Sequence, residues 1–194
     1  MKPRKAKRQS KSFFVYFFFI AVILIIVAVV VASSLVKRHE VDNDSMYIQL
    51  EKKDRIFYKE DFQPQRFNLA LVKVEEDVMP LRIIGLPGDD VKVTNDILTI
   101  NKEEYSEPYL KENFLTFKSK AKNKQALYTE NFDMRNIKGA NEGTQTIPEN
   151  HYLVLADNRQ AAKDSRHFGL VKRDQLKGVL LVRYYPFNKI GPVT

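Results

Sequence analysis

The chain has 194 residues, no cysteine, three histidines and a net charge of +8. The lack of cysteine excludes disulfides, a thiol nucleophile and cysteine-based metal sites. The scattered histidines do not match a metal-ligand pattern, so we expect neither a metal nor another cofactor. Six positive charges lie in the first twelve residues, which leaves the rest of the chain near neutrality (8 − 6 = +2) and argues against nucleic-acid binding.

Residues 13–36 form an uncharged run that predicts a transmembrane helix. About 20 apolar residues cross the hydrocarbon core of a bilayer, whereas the apolar region of a cleaved signal peptide is shorter, roughly 7–15 residues. The alternative interpretation is a long secretory signal peptide, cleaved at the small residues Ala32-Ser33-Ser34.

The charges on either side of this run predict its orientation. The tail, residues 1–12, holds six Lys and Arg and no acid, whereas Lys37 and Arg38 are soon followed by acidic residues. The positive-inside rule therefore predicts a cytoplasmic tail that contacts anionic membrane lipid, and an extracellular domain at 37–194. We expect a single-pass protein of the cell membrane.

The outer region is long enough for one domain, and its pattern is mainly β. Asn95-Asp96 separates two short alternating runs, which indicates a tight hairpin. A different composition, rich in Lys, Asn, Gln and Glu, marks residues 105–147 as either a poorly ordered insertion or a small ordered cap. Apolar, β-branched and aromatic runs predict strands at 55–58, 67–74, 91–94, 97–100, 152–155 and 179–185.

Three short segments carry the candidate chemistry. They are Ser45 to Leu50 (SMYIQL), Arg82 to Asp89 (RIIGLPGD) and Ala156 to Gly169 (ADNRQAAKDSRHFG). In this order behind an apolar helix, they resemble the type I signal peptidases, membrane-anchored serine proteases that remove signal peptides outside the membrane. The family patterns are Ser-Met-x-Pro-Thr-Leu, Lys-Arg-x-x-Gly-x-Pro-Gly-Asp and Gly-Asp-Asn-Arg-x-x-Ser-x-Asp-Ser-Arg-x-x-Gly. The resemblance extends from the apolar helix to Gly191 and implies a domain of antiparallel sheets.

The resemblance makes Ser45 the nucleophile position and shows what is missing beside it. In the family, a lysine just before the arginine of the second segment is the general base, and a serine of the third segment orients its amine. Here the lysine position is Leu81, the orienting-serine position is Ala162, and a neighbouring glycine position is Ala156. A leucine accepts no proton, and a general base contributes roughly 10²–10⁴-fold to the rate. We expect these three apolar side chains to fill the pocket of the absent amine.

Two other residues could replace the base. Lys73 lies in a predicted strand, and His167 lies in the third segment where the family pattern varies. A lone lysine or histidine is more often solvated or structural, so neither is favoured.

The other residues that match the family patterns are structural candidates. Buried, bidentate pairing of Arg166 with Asp164 or Asp157 would support the third segment, and a solvated loop is the alternative. The full set is Arg82, Pro87, Gly88, Asp89, Asp157, Asn158, Arg159, Asp164, Ser165 and Arg166.

Two functions follow from the resemblance. The first is a signal-peptidase-like pseudoenzyme that binds an exported protein precursor or a pilin without cleaving it. Degenerate members of this kind accompany pilus assembly in Gram-positive bacteria, which implies a pilin or a sortase-type enzyme as partner. The second is an active signal peptidase with a different base. Residue 81 discriminates between these two, and Leu81 favours the first. A third interpretation is a relic with no remaining partner.

Overall fold

The computed structural model describes residues 8–34, 36–123 and 125–193. The chain divides into two compact units, Met1–Lys37 and Arg38–Thr194. Most of the predicted basic tail, residues 1–7, lies outside the described residues.

The first unit contains helix α1, Arg8–Ser34, which begins five residues before the uncharged run. Its aromatic and aliphatic side chains from Phe13 to Phe19 are exposed. Within the described residues, no helix combines the length and the apolar character that crossing a membrane requires.

The second unit is built from two antiparallel sheets. The larger sheet has the order β1-β2-β11-β3-β4-β9-β10, with β12 added to β11, and the smaller sheet has the order β7-β6-β5-β8. The mainly β, antiparallel architecture is thus confirmed. In chain order the strands are β1 Lys37–Glu40, β2 Arg55–Lys59, β3 Leu69–Val74, β4 Asp77–Gly85, β5 Val91–Thr94, β6 Ile97–Ile100, β7 Glu103–Tyr105, β8 Phe132–Asp133, β9 His151–Leu155, β10 Val171–Lys172, β11 Leu176–Tyr185 and β12 Gly191–Pro192.

The small sheet contains the predicted hairpin. Strands β5 and β6 pair from Val91↔Ile100 to Thr94↔Ile97, and the two turn residues Asn95 and Asp96 have φ of 52° and 64°. A two-residue turn of this type needs positive φ at both positions, which Asn and Asp tolerate best after glycine. The hydrophobic pattern and the turn chemistry therefore specify the same register.

The segment 105–147 contains regular structure beside this sheet. It carries a 3₁₀ turn at Pro108–Leu110, helix α2 at Lys111–Lys120, strand β8 and a second 3₁₀ turn at Met134–Asn136. Met134, Ile137 and Ile147 are buried in one apolar cluster with β5, β6 and β9. This packing links the segment to both sheets.

Two further apolar clusters lie at the larger sheet. One surrounds Leu81 and Ile83 of β4, and the other surrounds Met46 and Leu50 of the loop between β1 and β2. Strand β4 contributes to the first, and its neighbour β3 contributes to both. A short helix α3, Ser165–Phe168, follows β9 and closes the third segment.

Candidate active site

Ser45 lies in the loop between β1 and β2 and is 4% exposed. Its amide donates to Asn43 Oδ1 at 3.1 Å, and its hydroxyl donates to the backbone carbonyl of Pro80 at 2.7 Å. The neighbouring Met46 is fully buried and fixes the loop in the core. The hydroxyl proton is therefore committed to the backbone of β4, directly before the predicted base position.

The structure brings Leu81, Ala156 and Ala162 together. Leu81 and Ala156 are both 0% exposed and belong to one apolar cluster, against which the half-buried Ala162 packs. The rest of the cluster is aliphatic and aromatic, with Ala70, Val72, Ile83, Tyr152, Val154, Val171 and Leu176 as its other buried members. Residue 81 is thus packed among aliphatic and aromatic side chains.

The third segment holds the loop of Ser45 in place. The Asn158 amide donates to the Ser45 carbonyl at 3.0 Å, and Asn158 Nδ2 donates to the Asp44 carbonyl at 3.0 Å. The Asp157 amide contacts Met46 Sδ at 3.5 Å. These contacts join two segments that are more than 100 residues apart in sequence.

An open cleft of about 380 Å³ lies beside Ser45. We call it the Ser45 cleft, and its lining residues are Asn43, Asp44, Ser45, Met79, Asn158, Ala161, Ala162 and Lys163. The residues that line it are mixed in polarity, and Lys163 is the one cation among these residues.

Comparison with known proteins identifies the family. The family model of the signal peptidases, peptidase S26, matches residues 13–185. The chain belongs to the signal peptidase family. Signal peptidase IB of Staphylococcus aureus is 42% identical over 109 residues, which is 56% of this chain and 53% of the relative. The chain therefore matches about half the length of these S. aureus relatives.

Two more relatives extend the comparison. Signal peptidase I of Bacillus amyloliquefaciens is 36% identical over 157 residues, covering 77% of this chain and 76% of the relative. The crystal structure of a signal peptidase I from Enterococcus faecalis V583 superposes with a TM-score of 0.52 and 36% identity, covering 61% of this chain and 97% of that one.

Arg82 and Asp157, which both belong to the family motifs, form a fully buried ion pair. Arg82 Nε and Nη2 donate to the two carboxylate oxygens at 3.0 and 2.6 Å, and both side chains are at most 2% exposed. Burial raises the pKa of Asp157, and the guanidinium groups of Arg82 and Arg159 oppose that rise. The pair is bidentate, as an arginine–carboxylate support should be.

Arg82 also connects the Ser45 loop to the segment 105–147. It donates to Gln49 Oε1 at 2.8 Å, and its guanidinium carbon lies 3.9 Å from the ring centroid of Tyr109. Gln49 Nε2 in turn donates to the Tyr109 carbonyl at 3.2 Å. Gln49, where the family pattern has threonine, is therefore built into the ion-pair network.

The second half of the third segment also makes buried polar contacts. Together with Arg159 and the pair Arg82–Asp157, we call the pair Arg166–Asp164 the polar frame. Asp164 is fully buried and accepts from Arg166 Nε and Nη2 at 2.9 and 2.8 Å and from the Ala156 amide at 3.0 Å. Ser165 Oγ accepts the Val154 amide at 3.0 Å. The predicted Arg166–Asp164 pair is present, whereas Asp157 pairs with Arg82 and not with Arg166.

Arg159 connects these buried contacts to the segment 105–147. It donates to the Ala156 carbonyl at 2.8 Å and to Glu107 Oε1 at 2.5 Å. The Tyr128 hydroxyl donates to the Asp157 carbonyl, and burial raises the pKa of Tyr128 to about 12. Composition alone gave no sign that Glu107 and Tyr128, both in the polar segment 105–147, take part.

The turn Pro87-Gly88-Asp89 is a separate structural unit. Gly88 has φ of +88°, a conformation that glycine adopts without strain. Asp89 accepts the Leu86 amide at 2.7 Å and pairs with Arg66 at 2.6 Å. These contacts brace the turn between β4 and β5.

Ile48 marks a change in the backbone of the Ser45 loop. Its φ is +81°, which is an outlier for a β-branched residue. The family pattern has proline at this position, and proline is restricted to φ near −65°. The loop after Ser45 therefore follows a path that the family proline could not take.

The two alternative bases have other contacts. Lys73 Nζ lies 3.8 Å from Glu76 Oε2 at the surface of the sheet. His167 Nδ1 lies 3.4 Å from the Asp164 amide, at the start of α3. Neither side chain lines the Ser45 cleft.

Proposed function

We propose that this chain is a membrane-anchored pseudoenzyme of the signal peptidase family, which binds an exported protein precursor or a pilin without cleaving it. The observation that carries the proposal is Leu81, fully buried in an apolar cluster at the position of the family's general base. A serine hydroxyl is a weak nucleophile unless a neighbouring group accepts its proton.

The contacts of Ser45 support the same proposal. Its hydroxyl donates to the Pro80 carbonyl at 2.7 Å and is nearly inaccessible. A carbonyl oxygen is too weakly basic to remove the proton, so this hydrogen bond stabilises the loop and does not activate the nucleophile. Ser45 then acts as a structural residue.

The three differences from the family pattern, Leu81, Ala156 and Ala162, are consistent with one another. A serine at the half-buried position 162 would have no lysine amine at position 81 to orient. Alanine at this position packs against the same apolar cluster. The pocket is therefore stable as an apolar unit.

The anchoring part of the proposal rests on the sequence pattern of residues 13–36. An uncharged run of this length follows a basic tail, which supports a single span with residues 37–194 outside the cell. Protease added to cells stripped of their wall should digest residues 37–194 and spare the tail. Recovery of a soluble chain that lacks residues 1–36 from the native host would contradict this topology.

The partner is proposed to be an exported precursor or a pilin, with a sortase-type enzyme in the same assembly. The support is the family resemblance together with an open cleft beside Ser45 whose frame is intact. The experiment is binding of purified, fluorescently labelled pilin or secretory precursor to the full chain in detergent. Saturable binding that survives Ser45→Ala supports the proposal, and loss of the cellular role on Ser45→Ala in a folded protein contradicts it.

The second candidate function is an active signal peptidase. Two observations favour it: Ser45 is retained, and Lys163 lines the same cleft. Lys163 is exposed and follows the orienting-serine position directly. If Lys163 is the base, the wild type should cleave a precursor in a reaction that depends on Ser45. Lys163→Met should abolish this cleavage, and Lys163→Arg should be inactive as well.

A further inference from the structure

One edge of strand β4 faces the Ser45 cleft. β4 pairs with β3 from Asp77 to Arg82, but its pairing with β9 begins at Arg82. Residues 77–81 therefore have no strand partner on the β9 side in the described part of the chain. Met79, in this stretch, lines the cleft. An unpaired edge of this kind is where an extended peptide can add to a sheet.

The backbone groups of β4 alternate between its two neighbours. The Ile83 amide donates to the Asn68 carbonyl at 2.9 Å, on the side of β3. The even-numbered residues Val78, Pro80 and Arg82 therefore direct their backbone groups toward the other edge. The hydrogen bond from Ser45 Oγ to the Pro80 carbonyl agrees with this alternation.

Pro80 offers no donor to a strand that arrives at this edge. Proline has no amide hydrogen to donate. Its carbonyl already accepts the Ser45 hydroxyl at 2.7 Å, in a buried position. We infer that Pro80 and Ser45 together close the edge of β4, so that an extended peptide cannot add to the sheet beside Ser45.

This inference deepens the proposed function and rests on it in one respect, the use of the Ser45 cleft. A partner in the cleft is then held by contacts with side chains such as Met79, Ala162 and Lys163, and not by main-chain pairing. Proline at an edge is a common means of blocking strand addition. Pro80 thereby restricts the cleft to ligands that bind through side-chain contacts.

The test restores the edge in two steps. Pro80→Val supplies an amide, Ser45→Ala frees the carbonyl, and the double variant does both. The probe is a ten-residue synthetic peptide that contains an Ala-x-Ala signal-peptide cleavage sequence, added at saturating concentration to the full chain in detergent. The readout is hydrogen exchange at the Val78 amide, the nearest donor on the same edge, and Pro64→Val is the control for losing a proline elsewhere.

We expect the peptide to leave Val78 exchange unchanged in the wild type, in Ser45→Ala and in Pro64→Val. In the double variant it should slow that exchange about 2- to 10-fold, the size of one net hydrogen bond. Slowed exchange in the wild type, or none in a double variant whose unfolding transition is intact, would overturn the inference. If Pro80→Val does not fold, Pro80→Ala supplies the same amide.

The outcome for the inference can be separated from that for the proposed function. Failure of the wild type to bind precursor or pilin counts against the proposed function and leaves the closed edge standing. Unchanged Val78 exchange in the folded double variant counts against the closed edge alone.

Discussion

The polar frame and the pocket around residue 81 lie next to each other. The frame matches the family pattern, whereas the pocket departs from it. The frame keeps Arg159 and the two bidentate pairs Arg82–Asp157 and Arg166–Asp164. Where the family patterns have lysine, serine and glycine, the pocket has Leu81, Ala162 and Ala156, packed with aliphatic and aromatic side chains. The frame positions the Ser45 loop whether or not that serine reacts.

The strongest test of this difference between frame and pocket is to introduce an amine into the pocket. Leu81→Lys should lower the free energy of unfolding by about 4–5 kcal/mol at pH 7, because the apolar site must hold the lysine neutral against a free pKa of about 10.4, at about 1.4 kcal/mol per unit. Denaturant unfolding of the full chain in detergent measures this.

The pH dependence tests the cause. Since the folded pKa is lowered, the penalty is largest below the folded pKa and shrinks as pH rises toward 10.4. Leu81→Met, which conserves volume, should cost less than about 1.5 kcal/mol and show no such recovery. A Leu81→Lys variant as stable at pH 7 as at pH 10 would mean that the amine reaches solvent.

The frame can be broken directly. Asp157→Ala should destabilise the chain by about 3–5 kcal/mol, since it leaves Arg82 buried without its carboxylate. The matched control is Glu40→Ala, which breaks the exposed pair with Arg55 and should cost about 0–1 kcal/mol. Thermal unfolding of both variants provides the comparison, and equal losses would show that the frame is not a structural support.

The Ser45 loop should resist a return to the family pattern. Ile48→Pro forces φ from +81° to near −65° and should cost more than about 1 kcal/mol, whereas Ile48→Gly should change stability by less than about 1 kcal/mol. Urea midpoints measure both. If Ile48→Pro were neutral, the loop would have to adopt the family path without loss.

The smallest effect should come from the turn at Asp89. Burial alone would raise its pKa, but hydrogen bonds from Arg66, the Leu86 amide and Asn101 outweigh it and hold the pKa below 3.8. The ionised carboxylate therefore stabilises the fold above about pH 4, and this contribution is lost as pH falls below 3.8. Unfolding free energy between pH 5 and 2 should fall more steeply in the wild type than in Asp89→Asn.

Local patterns were enough to predict most long strands and the β5–β6 hairpin. The run 179–185 lies within β11, and 67–74 contains β3, because apolar and aromatic residues dominate both runs. Strand β4 was not predicted: Pro80 interrupts its apolar run, and proline in a strand pattern argues against a strand unless it lies at an edge. Pro80 does lie at an unpaired edge.

The site was predicted where the sequence has a motif and missed where contacts are long-range. Leu81, Ala156 and Ala162 were found by position in the family patterns, and the structure brings them together. The roles of Gln49, Glu107 and Tyr128 depend on side chains that meet across 29 or more residues, so no local pattern could indicate them. The hydrogen bond from Ser45 to Pro80 spans 35 residues and was missed for the same reason.

The central claim, that Ser45 has no working base, is tested most directly by incubating the purified full chain with a secretory precursor and following the precursor by mass. We predict that its mass stays constant over hours and that wild type and Ser45→Ala behave alike. A shortened product that forms with the wild type and is absent with folded Ser45→Ala would contradict the claim and establish an active peptidase.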